Sequence, residues 1–430
     1  MKVDVLLGLQ WGDEGKGKIV DFLAEKYNLV ARFQGGPNAG HTLKFDNITH
    51  VLHQIPSGIF RKSITNIIGN GVVLDPVIFL KEIDELKQLG LSPEENLLIS
   101  KRTQLILPTH KLLDQALEKN KGKDKIGSTL KGIGPTYQDK TGRLGLRVGD
   151  VGQPSFKEKY KQLKHKHEEM LSQFGMDNKN NQLDEAFFHA LQTLDKFQMI
   201  DSEYYINHQL DMGSSVLAEG AQGSLLDLDF GSYPFVTSST TLAAGACTGL
   251  GIAPRRIGEV FGIFKSYCTR VGSGPFPTEL KNDDGQRLRD IGREYGATTG
   301  RPRRCGWLDI PALKYAIMLN GVTQLFMMKA DVLCDFDEIM VCTGYRLSNG
   351  DISDELSAEV LDSSTVEPIY KSFEGWGQLE VDSLDFENLP QQLHTYISYI
   401  ETETHVPINV VSLGPDRSAT LIRNEKVFSN

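Results

Sequence analysis

Gly8-Leu9-Gln10-Trp11-Gly12-Asp13-Glu14-Gly15-Lys16-Gly17-Lys18 stands between an apolar run at 3–9 and a stretch where Ile19, Val20, Phe22 and Leu23 recur at helical spacing up to Tyr27. The run is short and rich in β-formers, so the glycines connect a strand to a helix. Residues without side chains let backbone N–H groups approach phosphate oxygens there, and the helix N-terminus adds partial positive charge. Gly12, Gly17 and Lys18 keep the Gly-Lys spacing of a phosphate loop, but Ile19 stands where a Ser or Thr would ligate magnesium. Asp13, a carboxylate inside an anion cradle, offers the metal another oxygen.

After the first helix, residues 29–33 read as a second strand, and Gln34-Gly35-Gly36-Pro37-Asn38-Ala39-Gly40-His41-Thr42 as a loop able to face the cradle. Asp75 caps a helix that starts at Pro76, buries Val77, Leu80, Ile83 and Leu86, and stops at Gly90. Residues 119–150 lose all periodicity and mix glycines with Lys and Arg, the pattern of a mobile surface loop. Phe156, Tyr160, Leu163, His167 and Met170 mark a helix on which His165 and His167 read as solvated, and residues 183–197 mark another. Further on, 216–218, 257–264, 324–328, 339–345 and 408–411 read as strands, and 284–295 and 309–319 as helices. No repeat, heptad pattern or long linker divides the chain. The expected fold is α/β: a large, mostly parallel central sheet with surrounding helices, long active-site loops and a P-loop-like nucleotide site, residues 1–430 forming a single catalytic domain.

Charge narrows the function. Against 46 Lys and Arg stand 56 Asp and Glu, a net charge of −10 that argues against a broad nucleic-acid footprint. Cys247, Cys268, Cys305, Cys334 and Cys342 are scattered, odd in number and without a CxxC pair, as reduced cytosolic thiols would be, and they suggest no zinc site. Residues 230–254 are uncharged, but their Ser, Thr, Gly and Pro content disfavours a membrane span, and the N-terminus has no signal-peptide pattern. A cytoplasmic enzyme without nucleic-acid or membrane partners is expected.

Four constellations carry chemistry. Beside the phosphate loop, Lys131-Gly132-Ile133-Gly134-Pro135-Thr136-Tyr137-Gln138-Asp139-Lys140-Thr141-Gly142-Arg143 sets turns next to two cations, so it could close over an anion or simply be a solvated basic loop. Ala297-Thr298-Thr299-Gly300-Arg301-Pro302-Arg303-Arg304 gathers hydroxyls and guanidinium forks suited to carboxylates and phosphates. Its scarce aromatic residues and the acidic chain fit a dicarboxylic substrate better than a nucleic acid. Lys329-Ala330-Asp331 ends an apparent strand, where the lysine stem could cover a base and the carboxylate read guanine's N1–H and 2-amino donors; an ordinary turn is the alternative. Hydrogen bonds to an ionised acceptor are worth about 1.5–3 kcal/mol, enough to favour guanine over adenine by at least about tenfold. Ser412-Leu413-Gly414-Pro415, after another apparent strand, would make a second wall.

The stretch QWGDEGKGK and the segment from Gly132-Ile133-Gly134-Pro135 to Arg143 resemble the two signatures of the adenylosuccinate synthetase family, GTP-dependent ligases that form a C–N bond between IMP and L-aspartate. The resemblance runs from residue 10 to residue 414. It implies that residues 12–18, including Glu14, Gly15, Lys16 and Gly17, bind GTP together with Gly40, His41, Thr42, Arg303, Lys329, Ala330, Asp331, Ser412, Leu413 and Gly414. IMP would be met by Asp13, Lys16, Asn38, Ala39, Gly40, His41, Thr129, Arg143, Gln222, Thr237 and Arg301, with Arg143 reaching the neighbouring subunit's nucleotide in a homodimer. The 297–303 loop would hold aspartate, although Pro302 departs from the family's arginine-rich run. One Mg2+ would be bound by Asp13 and the Gly40 carbonyl.

The same resemblance implies the chemistry. Asp13 acts as base at N1 of IMP, the 6-oxyanion attacks the γ-phosphate of GTP, and the aspartate amine displaces phosphate from 6-phosphoryl-IMP to give adenylosuccinate, GDP and phosphate. His41 assists at the γ-phosphate, and Lys140 would stabilise charge on the transferring group. A regulatory GTPase is the main competitor, and it leaves the 297–304 loop unexplained. A nucleic-acid-associated NTPase is a second, disfavoured by charge.

Overall fold

Val3–Gly8 is buried at every residue, which a strand tolerates only when both faces of its sheet are covered. Val3, Val5 and Leu7 face one cluster of the core, while Leu6 faces the other together with Ile19, Val20 and Leu23 of the first helix, Lys16–Ala24. Asp4, the one charge in the strand, accepts from the Tyr27 hydroxyl at 2.7 Å and the Glu259 N–H at 2.8 Å. The computed structural model describes residues 1–45, 48–176, 181–296, 300–362, 366–379 and 385–424.

Val3–Gly8 is β1 of a ten-stranded sheet whose other members are β2 (Leu29–Arg32), β3 (Thr65–Ile68), β4 (Leu97–Ser100), β5 (Gln198–Ile200), β6 (Val216–Glu219), β7 (Ile257–Lys265), β8 (Gln324–Met328), β9 (Ile408–Ser412) and β10 (Thr420–Ile422). Their spatial order is β10-β9-β8-β7-β1-β6-β2-β3-β4-β5. All neighbours run parallel except β9 and β10. From β1 the chain moves outward through β2 to β5, returns to insert β6 beside β1, and leaves on the other side through β7 to β10. The winding therefore reverses at β1, and a crevice opens beyond its carboxyl end.

The expected α/β architecture is present, with local corrections. Asp75 does cap the helix Pro76–Gln88, accepting from the Val77 and Ile78 amides, but Phe79, Ile83 and Leu86 are its buried hydrophobics while Val77 is exposed and Leu80 half-buried. His41 and Thr42 are not loop: they open the strand His41–Phe45, paired antiparallel with Ile48–Leu52. The supposed mobile loop contains the helix Ile133–Thr141, started by Gly132 in the left-handed region. His167 is buried rather than solvated, its ring nitrogens meeting Thr109 Oγ1 at 2.7 Å and Asp139 at 2.9 Å; His165 is solvated as expected. The strand expected at 339–345 is Glu338–Arg346, which belongs to a separate small sheet with Glu367–Glu374. No helix among the described residues is long and apolar enough to cross a membrane.

Candidate active site

The phosphate loop fills the crevice beyond β1. Gly12 (φ 87°), Asp13 (φ 64°) and Gly15 (φ 94°) all turn through the left-handed region, where Asp13 is the one residue of the three with a Cβ to strain. Glu14 folds back into the loop: its carboxylate accepts from the Gln10 amide at 3.1 Å, the Gly12 amide at 2.9 Å and Lys16 Nζ at 2.6 Å. A Cβ on Gly8 would lie 2.3 Å from Glu14 Oε2, so any side chain there would push the carboxylate out of its place in the loop. An internal carboxylate thus occupies donors that a phosphate would use, and a nucleotide has to displace or share them.

Lys18 does not project into the cradle. Its ammonium is buried against Ser412 Oγ (2.7 Å), the Gly414 carbonyl (2.8 Å) and the Ala419 carbonyl (3.2 Å). Burial brings its pKa down to about 8. The lysine therefore ties the phosphate-loop helix to the loop after β9.

His41 lies directly on this helix: a Cβ on Gly17 would sit 2.8 Å from the His41 Cβ. Its Nδ1 is 2.6 Å from Glu219 Oε1 at the end of β6, and Ser57 donates to the same carboxylate through its amide (2.8 Å) and hydroxyl (2.8 Å). His41 Nε2 is buried without a partner. Burial lowers the imidazole pKa against the opposing pull of Glu219. Burial pushes the Glu219 carboxyl up, but His41 and the buried Arg32 outweigh it and the net shift is downward. The pair presents an oriented imidazole with one free nitrogen.

The loop after β6 closes over the same centre. A Cβ on Gly223 would come within 2.6 Å of the Gly12 amide, and Gln222, at φ 57°, has both ends of its buried amide without a partner. Thr237 is half-buried nearby in chain terms, its amide donating to the Leu226 carbonyl at 2.8 Å. On the other side Asn38 Oδ1 accepts from the Gly36 amide at 3.2 Å, and the Ala39 carbonyl accepts from His53 Nδ1 at 2.6 Å, which fixes the turn before Gly40.

Arg303 and Asp13 meet, Nε to Oδ2 at 2.9 Å, joining the third constellation to the first. Arg303 stands at the base of a hairpin closed by its own amide on the Glu294 carbonyl (2.9 Å) and by the Gly296 amide on the Arg301 carbonyl (2.8 Å). Gly300 takes φ 63°, and Gly300, Arg301 and Pro302 are exposed. Ala297, Thr298 and Thr299 lie outside the described residues. Arg304 is taken by Glu279 in a two-pronged pair at 2.7 Å and plays no part in the crevice wall.

Lys329, at φ 62°, turns the chain after β8 and sends its ammonium to Glu294 Oε1 and the Gly292 carbonyl, both at 2.6 Å. Asp331 Oδ1 is buried and without a partner, and burial raises the carboxyl pKa. An acceptor so placed is open to a ligand's N–H groups. Asp331 acts on Lys18, whose ammonium donates to Ser412 and Gly414, so the segments that follow β8 and β9 lie side by side at the carboxyl ends of their strands.

The second constellation is more distant in its contacts. Tyr137 of the helix Ile133–Thr141 donates to the Gly71 carbonyl (2.7 Å) and accepts from the Gly35 amide (3.1 Å). Lys140 Nζ donates to the Asn70 carbonyl at 3.3 Å, and burial lowers its pKa. Its ammonium is engaged with the loop after β3 rather than with the phosphate loop. Thr129 and Arg143 are exposed at the surface.

Sequence reasoning missed Glu219 and Glu294. The available signal was a carboxylate at the end of an apolar run in the first case; Glu294 carried none.

A phosphate loop at the winding reversal of a parallel sheet, with a carboxylate and an oriented histidine at its mouth, defines a nucleotide-dependent α/β enzyme. The sequence matches the family described as adenylosuccinate synthetase over residues 5–421. It is 59% identical over 426 residues to the adenylosuccinate synthetase of Cytophaga hutchinsonii, covering 99% of each chain. It is 57% identical over 425 residues to that of Flavobacterium psychrophilum, covering 98% of this chain and 100% of the relative. The structure of a fully ligated adenylosuccinate synthetase from Plasmodium falciparum superposes with a TM-score of 0.91 at 36% identity, covering 99% of this chain and 100% of the other. The chain belongs to the adenylosuccinate synthetase family.

Proposed function

We propose that this chain ligates L-aspartate to IMP at the expense of GTP, through 6-phosphoryl-IMP, in AMP biosynthesis, and that residues 1–430 act as one catalytic unit in the cytoplasm. The observation that carries the reading is the convergence of Asp13, His41 and Arg303 at the mouth of the phosphate loop, in a chain of this family.

Asp13 is held by Arg303 with its carboxylate still 31% exposed, so one oxygen edge faces the crevice and can take the N1 proton of the purine. His41 meets the transferring phosphoryl group through Nε2, while Glu219 holds Nδ1. Lys16 can move from Glu14 to the nucleotide phosphates, leaving Glu14 to the loop amides. Asp331 selects guanine, and the exposed tip carrying Arg301 receives the aspartate carboxylates. Lys140 stabilises phosphoryl charge only if it leaves Asn70, which makes it the weakest of the assigned groups.

The donor set also fits Mg2+. Asp13 and the Gly40 carbonyl are hard oxygens on the two segments that His41 and Gly17 press together, and magnesium takes carboxylates and carbonyls alongside substrate phosphates. Held by these oxygens, the ion would supply charge neutralisation for the nucleotide phosphates. Phosphate release from GTP that requires both IMP and L-aspartate is the expected result. Release with neither, or stimulation by nucleic acid, would overturn the reading in favour of a GTPase or a nucleic-acid-associated NTPase.

A further inference from the structure

Two cations that approach the active site on different loops end on one buried carboxylate. Glu294, fully buried, receives Arg303 Nη1 and Lys329 Nζ at 2.6 Å each and Lys265 Nζ at 3.0 Å on both oxygens, and the Tyr267 hydroxyl donates to it as well. Lys265 is itself fully buried and has Thr269 as a further partner at 2.7 Å. With Asp13 on Arg303 and Asp331 two residues from Lys329, the three cations of the cluster are matched by three carboxylates, and Glu294 is the one that all three cations share. A buried charge is costly to leave unpaired, so the shared carboxylate holds each cation where it is. Lys329 and Asp331 are on the same turn, so whatever fixes the lysine also fixes the base-reading carboxylate.

We propose that Glu294 is a positioning residue that locks Arg303 and Lys329 into one array, so that the guanine-reading turn and the substrate hairpin assemble as a unit around GTP. The inference rests on the ligase reading for the identity of its ligands. A simpler role is charge balance for Lys265 alone, and the two roles separate experimentally.

Glu294→Gln with Lys265→Met removes one buried charge of each sign; Glu294→Asp keeps the charge but draws it back by one carbon. Both variants lose stability because buried charge loses its partner, so they are assayed at a temperature where each is folded by circular dichroism; with positioning, KM for GTP there rises about tenfold while KM for IMP stays within about twofold. Parent-like kinetics in either protein, or an equal rise in the KM of all three substrates, would overturn the proposal. If the parent enzyme released phosphate without IMP and aspartate, the ligase reading would fail separately. Calorimetric GTP affinity would then decide the matter, about tenfold weaker binding supporting positioning and unchanged binding refuting it.

Discussion

Glu219 shows what a single residue can do without touching a substrate. It sits on the Nδ1 side of His41 and leaves Nε2 buried without a partner, so the imidazole's direction is set from behind. Asp13→Asn and His41→Asn are expected to abolish turnover while the protein folds and binds nucleotide. Glu219→Gln keeps a hydrogen-bonding group but loses the charge that stabilises an imidazolium, so kcat should fall about 10²-fold with KM for GTP nearly unchanged in steady-state assays. Parent-like kcat would show that His41 needs no carboxylate behind it. The place of Asp13 inside a strand-to-helix glycine loop was legible from spacing, whereas the roles expected of His41 and Asp331 came from the family resemblance. Glu219 was not legible, because its partner is 178 residues away and only the pairing of distant strands brings the two together.

At the scale of elements, Asp309 is the group whose protonation the fold controls most clearly. It caps the helix Ile310–Asn320 by accepting from the Ala312 amide at 3.0 Å, receives the Tyr345 hydroxyl at 2.6 Å, and leaves Oδ2 buried without a partner. Burial outweighs both hydrogen bonds and pushes its pKa from 3.8 up to about 6. Between these values the folded chain holds a proton that the unfolded chain has released, so stability falls as pH rises through the window, by about 3 kcal/mol at most. Asparagine caps as well as aspartate and has no charge to bury. Asp309→Asn should therefore gain stability relative to the parent as denaturant unfolding is moved from pH 4 to pH 7; parallel profiles would refute this. The helix Ile133–Thr141 was hidden for a related reason: its glycines and proline look like a loop, yet Gly132 starts it and Thr136 Oγ1 donates back to the Gly132 carbonyl at 2.7 Å. Local composition argued one way and tertiary contacts decided the other.

For the whole molecule, the homodimer expected from the family resemblance makes a distinct prediction. Arg143 is exposed at the end of its helix, as a residue reaching another subunit has to be. Mixing Arg143→Leu chains with Asp13→Asn chains should restore about a quarter of parental activity, because half of randomly exchanged dimers are hybrids with one intact site. No recovery after demonstrated subunit exchange would place each site within one chain. The central sheet was only partly legible: β1, β2, β6, β7, β8 and β9 announced themselves as apolar runs, whereas β3, β4, β5 and β10 did not, although β2 and β6 are no longer than β3 and β4, so a strand of three or four residues is legible only by the accident of its composition. Strand order was not legible, since pairing is set by packing and not by any local pattern.

That order has a consequence for how the protein is made. Val3 pairs with Val216 on one side and Ile257 on the other, so β1, synthesised before either neighbour, waits for more than two hundred residues of later chain before both its edges are covered. A nascent chain halted before β7 emerges from the ribosome carries its phosphate loop on an open apolar edge, able to pair with another copy and vulnerable to chaperone triage or proteolysis. Placing the catalytic loop at the winding reversal makes the enzyme's chemistry one of the last things its biogenesis completes.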